Sequence, residues 1–152
     1  MTNEEIELGI KELEQFYVNR KKELIYDKGW SWYLTNNAPE SFKDLKNKAI
    51  DMQIPIADYG NDTCIYSSPD YNYLSRFWHD YMHLTLDRGF SFEDEKYVIL
   101  NQLKGLNKAG VSMAAQTVFW VDMYHQAKYY NDTGEFVENQ KEFVFNILRK
   151  YP

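Results

Sequence analysis

The sequence predicts an all-α protein, a single helical domain over residues 1–152 built as a bundle of about five or six helices. Apolar residues recur at helical spacing through most of the chain, and Ser, Pro and acidic residues precede several of these segments at positions that start helices. No segment alternates polar and apolar residues as a half-buried strand does. A chain of 152 residues is long enough to bury one hydrophobic core without disulfide bonds.

Apolar periodicity and the boundary residues define the individual helices. In the first helix, Ile6, Ile10, Leu13 and Tyr17 share one face. Proline and glycine residues between positions 53 and 69 predict a long irregular connection. The helices are expected at residues 4–26, 39–53, 69–88, 91–106 and 111–130, followed by a last helix that ends near residue 149.

Two helix starts have specific capping signals. Ser68-Pro69-Asp70 combines a capping serine, a proline at the first helical position and an acidic residue in the first turn. Ser91 is followed three residues later by Asp94, which resembles a capping box. These signals predict where the third and fourth helices begin.

Charge and composition exclude several classes of function. The net charge of −6 has the wrong sign for binding a phosphate backbone, no apolar run is long enough to span a membrane, and the acidic start lacks the basic region of a secretory signal. The single cysteine, Cys64, cannot form an internal disulfide bond. We therefore expect an acidic, cytoplasmic protein that binds neither nucleic acid nor membrane. The excess of Lys over Arg, with abundant Asn, Tyr and Ile, indicates a low-GC microbe or a virus, in which case the location is the host cytoplasm.

The third helix carries the residues best suited to metal chemistry. His79 and His83 are four residues apart and Asp80 lies three before His83, so their side chains are directed to one patch of the helix. Glu95 falls in the first turn of the fourth helix, which an antiparallel return would bring to the same patch. Such a set suits one divalent ion, either zinc or iron(II). The alternative is a hydrogen-bonded histidine pair without metal, with Glu95 stabilising the start of its helix.

The remaining histidine also has an acidic neighbour at helical spacing. Asp122 and His125 are three residues apart on the fifth helix, and packing against the third helix would make His125 an extra ligand or a proton carrier. A pair on the helix surface explains them equally well.

Aromatic residues make up 17% of the chain and cluster on the third and fifth helices. Trp78, Tyr81, Trp120 and Tyr124 are the candidates for a pocket wall beside the metal, because ligand sites are mostly apolar with a few polar groups. Their alternative role is to fill the core. A small-molecule ligand is expected in the first case.

The order His79-Asp80-x-x-His83, then eleven residues, then Glu95 resembles the HDxxH-x11-E motif of the ubiquinone (coenzyme Q) biosynthesis family of small helical zinc-binding proteins. The similarity covers about residues 71–110. It implies an all-α fold, a metal ion held by all four motif residues, and action on a prenylated aromatic acid.

Residues around the motif extend the comparison with this family. Arg76 precedes the motif and Asn101-Gln102 follows it, as the family pattern suggests. Asp87 and Asp94 occupy positions where the family usually has glycine.

Three hypotheses about function follow. The first is a metal-dependent hydrolase, lyase or oxygenase acting on a small aromatic or prenylated substrate, with Asp80 as a ligand or as a residue that orients a ligand. The second is a non-catalytic interaction protein whose Tyr and Trp residues form a partner or homo-oligomer interface. The third is an HD-type phosphohydrolase with Asp122 as the late ligand, although no histidine precedes His79 to serve as the early one.

Overall fold

A computed structural model describes all 152 residues of the chain, Met1–Pro152, and the fold is mostly helical with one small sheet. In chain order the elements are α1 (Asn3–Lys22), β1 (Ser31–Thr35), α2 (Phe42–Lys48), β2 (Gln53–Ala57), α3 (Pro69–Leu86), α4 (Phe92–Lys108), α5 (Met113–Trp120), α6 (Gln126–Thr133) and α7 (Gln140–Leu148). A π-helical turn at Glu23–Asp27 extends α1, and a second at Val121–His125 joins α5 to α6. The predicted fifth helix is therefore one helical segment with a π-helical turn in its middle.

Local capping explains most helix starts. The Thr2 side chain accepts a hydrogen bond from the Glu5 N–H, and the Glu5 carboxylate accepts one from the Thr2 N–H, which completes a capping box at α1. Ser68 and Ser91 cap α3 and α4 as predicted, because each hydroxyl accepts a hydrogen bond from an N–H in the first turn. The second helix starts later than the predicted residue 39, since its cap is Ser41.

The expectation of a purely all-α fold needs a correction, because β1 and β2 form a two-stranded parallel sheet. Their register runs from Ser31 opposite Gln53 to Thr35 opposite Ala57. The sequence pattern does not indicate β2, because the residues at its centre, 54–56, are all buried and polar and apolar residues therefore do not alternate. α2 ends earlier than predicted because the chain must turn into β2. It turns at Met52, whose φ is +60°.

The core lies where α1 crosses α3 and α5. Tyr17, Phe77 and Phe119 are among its largest fully buried side chains, one from each of these helices. The amino group of Met1 donates hydrogen bonds to the carbonyl oxygens of Leu148 and Tyr151, which holds the two ends of the chain together. α3 packs against α4 on one side and β2 on another, and this arrangement positions the candidate site. None of the helices combines the length and apolar composition that crossing a bilayer requires.

Candidate metal centre

Three of the four motif side chains meet in one place. Nε2 of His79 lies 2.9 Å from Oε2 of Glu95 and 3.0 Å from Nε2 of His83, and Nε2 of His83 lies 3.2 Å from the same Glu95 oxygen. We call these three residues, His79, His83 and Glu95, the triad. They form a group of the kind that can hold a metal ion.

The local structure places each member of the triad. His79 and His83 are stacked one turn apart on α3, and the left-handed Asp87 (φ 53°) ends that helix. The chain then returns along α4, whose first turn carries Glu95. Asp94 stabilises the connection, because its carboxylate accepts a hydrogen bond from the Gly89 N–H and lies 3.5 Å from the Arg88 guanidinium. The antiparallel return predicted from the sequence is therefore the geometry that brings the carboxylate to the histidines.

Both imidazoles are held from behind by oxygen atoms. Nδ1 of His83 lies 2.9 Å from the carbonyl oxygen of Arg88, and Nδ1 of His79 lies 2.7 Å from Oε1 of Gln102. These oxygens only accept hydrogen bonds, so each Nδ1 carries the hydrogen and donates it. In the neutral imidazoles the two Nε2 lone pairs therefore face each other and the Glu95 oxygen. Histidines that bind a metal through one nitrogen typically donate the other N–H in this way.

Three electron pairs pointing at one another repel unless a cation lies among them. Burial lowers the pKa of His79, but the charge and hydrogen bond of Glu95 outweigh it and, with smaller effects of Asp80 and Gln102, raise that pKa to about 9. For Glu95, burial raises the pKa, but the two histidines hold it well below its usual range. Without a metal ion, a proton on the histidines therefore balances Glu95 at neutral pH.

The spacing of the triad fits a single metal ion. Ligand atoms about 2.0–2.1 Å from one ion lie about 2.9–3.4 Å apart when the angles at the metal are between octahedral and tetrahedral values. The three separations in the triad, 2.9, 3.0 and 3.2 Å, fall in this interval. Two histidines and one carboxylate also leave coordination positions open for water or substrate.

The triad is accessible from one side. The His83 side chain is fully buried, whereas 14% of the His79 side chain and 24% of the Glu95 side chain are exposed. Glu95 also lines a surface cavity of about 350 Å³. The wall of this cavity is mainly apolar, with Leu45, Pro55, Ile56, Phe90 and Phe136 among the lining residues.

Asp80 and Arg76 line the same cavity, outside the triad. The Asp80 carboxylate has no hydrogen-bond partner in the protein, and burial raises its pKa. The Arg76 guanidinium donates hydrogen bonds to the carbonyl oxygens of Ala57, Tyr59 and Gly60, so it attaches the loop after β2 to α3. The structure therefore brings Asp80 to the rim of the site and not to the point where the other three motif residues converge.

Asp122 and His125 lie outside the triad and have other partners. Oδ1 of Asp122 accepts a hydrogen bond from Gln126 Nε2 at 2.6 Å, and His125 Nε2 lies 3.4 Å from the Tyr151 hydroxyl. In the π-helical turn, Asp122 is buried and His125 is half-buried. Neither residue reaches the triad as an additional ligand, and the late ligand of an HD-type phosphohydrolase is not supplied by Asp122.

The aromatic residues expected to wall the pocket occupy other places. Trp78 is buried between Phe16 and Phe119 in the core, while Trp120 and Tyr124 stack on each other with ring centres 4.1 Å apart. The remaining candidate, Tyr81, packs edge-to-face on Trp30. The four side chains thus fill the core and its margins, and Phe90 and Phe136 supply the aromatic wall of the cavity instead.

Sequence reasoning singled out Gln102 only as part of an amide-rich stretch, although it is the side chain that fixes His79. A signal for its role exists, because Gln102 follows Glu95 by seven residues and so lies two turns along the same face of α4. The Arg88 carbonyl has no comparable signal, since its direction depends on how α3 ends.

Comparison of the chain with models of protein families, with curated proteins and with solved structures gives no match in any of the three. The similarity to the ubiquinone biosynthesis motif stays a prediction based on four residues, their spacing and a few neighbours.

Proposed function

We propose that this protein binds one divalent metal ion, zinc or iron(II), through His79, His83 and Glu95, and acts as a metal-dependent enzyme on a small ligand held in the adjacent cavity. The observation that carries the proposal is the convergence of three potential ligand atoms within 3.2 Å of one another, while both Nδ1 atoms have oxygen partners elsewhere. Metal-binding histidines typically donate one ring N–H in this way and leave the other ring nitrogen for the ion.

The residues around the triad have distinct tasks in this proposal. Gln102 and the Arg88 carbonyl fix the two imidazole planes, so little reorganisation accompanies metal binding. When bound, the ion would polarise a substrate oxygen or lower the pKa of a water molecule. Asp80, which has no partner in the protein, accepts a hydrogen bond from a polar group of the ligand. Leu45 and Phe90 exclude water from the apolar part of the ligand.

The substrate class proposed is a small aromatic or prenylated compound, and the reaction class is hydrolysis, elimination or oxygenation. The mainly apolar cavity wall and the volume of about 350 Å³ support a ligand of this size and polarity. The resemblance of residues 71–110 to the ubiquinone biosynthesis motif supports the same substrate class. In that family a glycine is usual at the position of Asp87, and here Asp87 has the left-handed conformation that glycine adopts readily.

A second candidate is a non-catalytic interaction protein, in which a metal ion, if bound, only stabilises the fold. Exposed aromatic residues support it, since Tyr26 and Phe136 are more than four-fifths exposed. The two candidates predict different effects of substituting Asp80. Its substitution abolishes turnover in an enzyme and changes nothing measurable in a purely structural metal protein.

Metal analysis of the purified protein tests the proposal. We expect about one equivalent of zinc or iron in the wild type and its loss in Glu95→Gln and in the His79→Ala/His83→Ala double variant. His125→Ala is the matched control, because that histidine does not belong to the triad and its loss leaves the metal content unchanged. Asp80→Asn also retains the metal if the carboxylate acts on the ligand. Less than about a tenth of an equivalent in the wild type, after reconstitution with either ion, would refute the proposal.

A further inference from the structure

The two edges of the small sheet differ in what covers them. Alternate residues along β2 form the hydrogen bonds to β1. At one end the Met52 carbonyl oxygen accepts a hydrogen bond from the Ser31 N–H, and at the other the Asp58 N–H donates one to the Thr35 carbonyl oxygen. The intervening residues of β2 therefore face the outer edge. One of them, Pro55, has no N–H, and the carbonyl oxygen of another, Ala57, accepts a hydrogen bond from Arg76. The edge of β2 is thus closed to further strands.

The outer edge of β1 has none of these protections. Ser31, Tyr33 and Thr35 bond to β2 in the observed register, so Trp32 and Leu34 direct their N–H and C=O groups away from it. The sheet has only two strands, and these groups therefore have no neighbouring strand. Natural proteins usually protect such an edge with a lysine, a proline or a bulge, and β1 has no such feature.

The segment that contains β1 carries no charged side chain and exposes large apolar ones. Residues 29–39 contain no Asp, Glu, Lys, Arg or His, although the chain as a whole has a net charge of −6. Tyr33 and Leu34 are 43% and 46% exposed. Tyr26 and Ile50, on the segments that lead into β1 and β2, are 81% and 80% exposed. When two copies meet along this segment, it brings no like charges opposite each other.

We propose that β1 is a homodimer interface, in which the β1 strands of two copies of this chain pair antiparallel across a twofold axis. The register that uses every free edge group places Trp32 opposite Leu34 of the second copy, and Leu34 opposite its Trp32. Each of these pairs exchanges two hydrogen bonds. Tyr33 then lies at the axis, opposite Tyr33 of the second copy, and the two small sheets become one continuous sheet of four strands.

A second copy fits this edge better than a strand of another kind. Twofold antiparallel pairing satisfies the edges of both copies at once and leaves only the β2 edges, which Pro55 and Arg76 already close. An added parallel strand would create a new open edge and lead to larger assemblies. The interface is independent of the metal site, because none of the residues in β1 lines the cavity.

Sedimentation velocity of the full chain over a range of concentrations tests the assembly. The wild type is expected to sediment at twice the mass of the chain, and Tyr33→Lys to sediment as a monomer, because two ammonium groups would lie opposite each other at the axis. Leu8→Lys is the matched control, since Leu8 is a 58% exposed residue on α1 and the charge change is the same. It is expected to remain dimeric.

Two further variants test the backbone pairing and the register. Leu34→Pro removes one outward N–H without removing a bond to β2, so the variant should be monomeric with an unchanged helical circular dichroism spectrum. In a Cys64→Ser background, Tyr33→Cys should form an intermolecular disulfide on mild oxidation, whereas Leu8→Cys should not. A wild-type monomer at every concentration, a dimer that persists in both Tyr33→Lys and Leu34→Pro, or open assemblies larger than a dimer would each overturn the proposal.

Discussion

Glu95 is largely buried and Asp122 is almost fully buried, yet their carboxylates have opposite electrostatic outcomes. Burial raises the pKa of both, yet the two histidines of the triad hold the pKa of Glu95 well below its usual range. Asp122 has only neutral hydrogen-bond partners, chiefly Gln126 and Tyr66, and its pKa is raised to about 7. The comparison shows that the partner, rather than the depth of burial, decides whether a carboxylate stays charged and available to a cation.

The largest expected effect concerns Asp122. Because its folded-state pKa lies above the unfolded value of 3.8, the folded protein binds more protons and loses stability as pH rises from about 4 to about 7. Asp122→Asn removes this cost and retains an oxygen that accepts from Gln126. We expect the substitution to raise the free energy of unfolding by about 2–4 kcal/mol at pH 8 and to have little effect at pH 4.

Urea unfolding of the wild type and Asp122→Asn at pH 4, 6 and 8 measures this difference. Asp132→Asn is a suitable control, since that carboxylate is exposed and pairs with Lys128 on the surface. An equal change at pH 4 and pH 8 would show that Asp122 is not the group that titrates.

The second expected effect is on the metal affinity of the triad, which depends on how His79 is oriented. Gln102→Leu gives a side chain of similar size but removes the acceptor of the His79 Nδ1–H. Loss of such a supporting hydrogen bond typically lowers metal affinity ten- to a hundredfold. Competition with a chromophoric chelator measures the affinity, and the same measurement on Gln126→Leu, which removes the partner of Asp122, should give the wild-type value. Unchanged affinity in Gln102→Leu would mean that the amide does not orient His79.

The third effect is the coupling between metal binding and proton release. Because the pKa of His79 is raised to about 9 in the metal-free protein, metal binding near neutral pH must displace one proton. The apparent association constant should therefore rise about tenfold per pH unit from pH 7 and level off near pH 9. Calorimetric titrations in buffers of different ionisation enthalpy count the released protons, and a pH-independent affinity would contradict the pairing of His79 with Glu95.

Much of the helical fold could be predicted because its signals are local. The caps at Ser68 and Ser91 and the periodic apolar face of α1 depend on residues a few positions apart. The sheet could not be predicted in this way, because β1 and β2 stabilise each other across a separation of about twenty residues and Ile54 and Ile56 are buried by α2 and α3. The π-helical turn at Val121–His125 likewise depends on its neighbours.

Sequence alone determined that His79, His83 and a carboxylate at Glu95 could meet, because helical spacing and one antiparallel return fix those positions within a turn. Tertiary structure decided the rest. It placed Asp80 on the cavity wall, directed His125 to Tyr151, and supplied Gln102 and the Arg88 carbonyl to hold the imidazoles. The physical reason is that spacing along one helix sets which face a residue occupies, whereas the atoms that face it come from another element, and their hydrogen bonds set protonation and orientation.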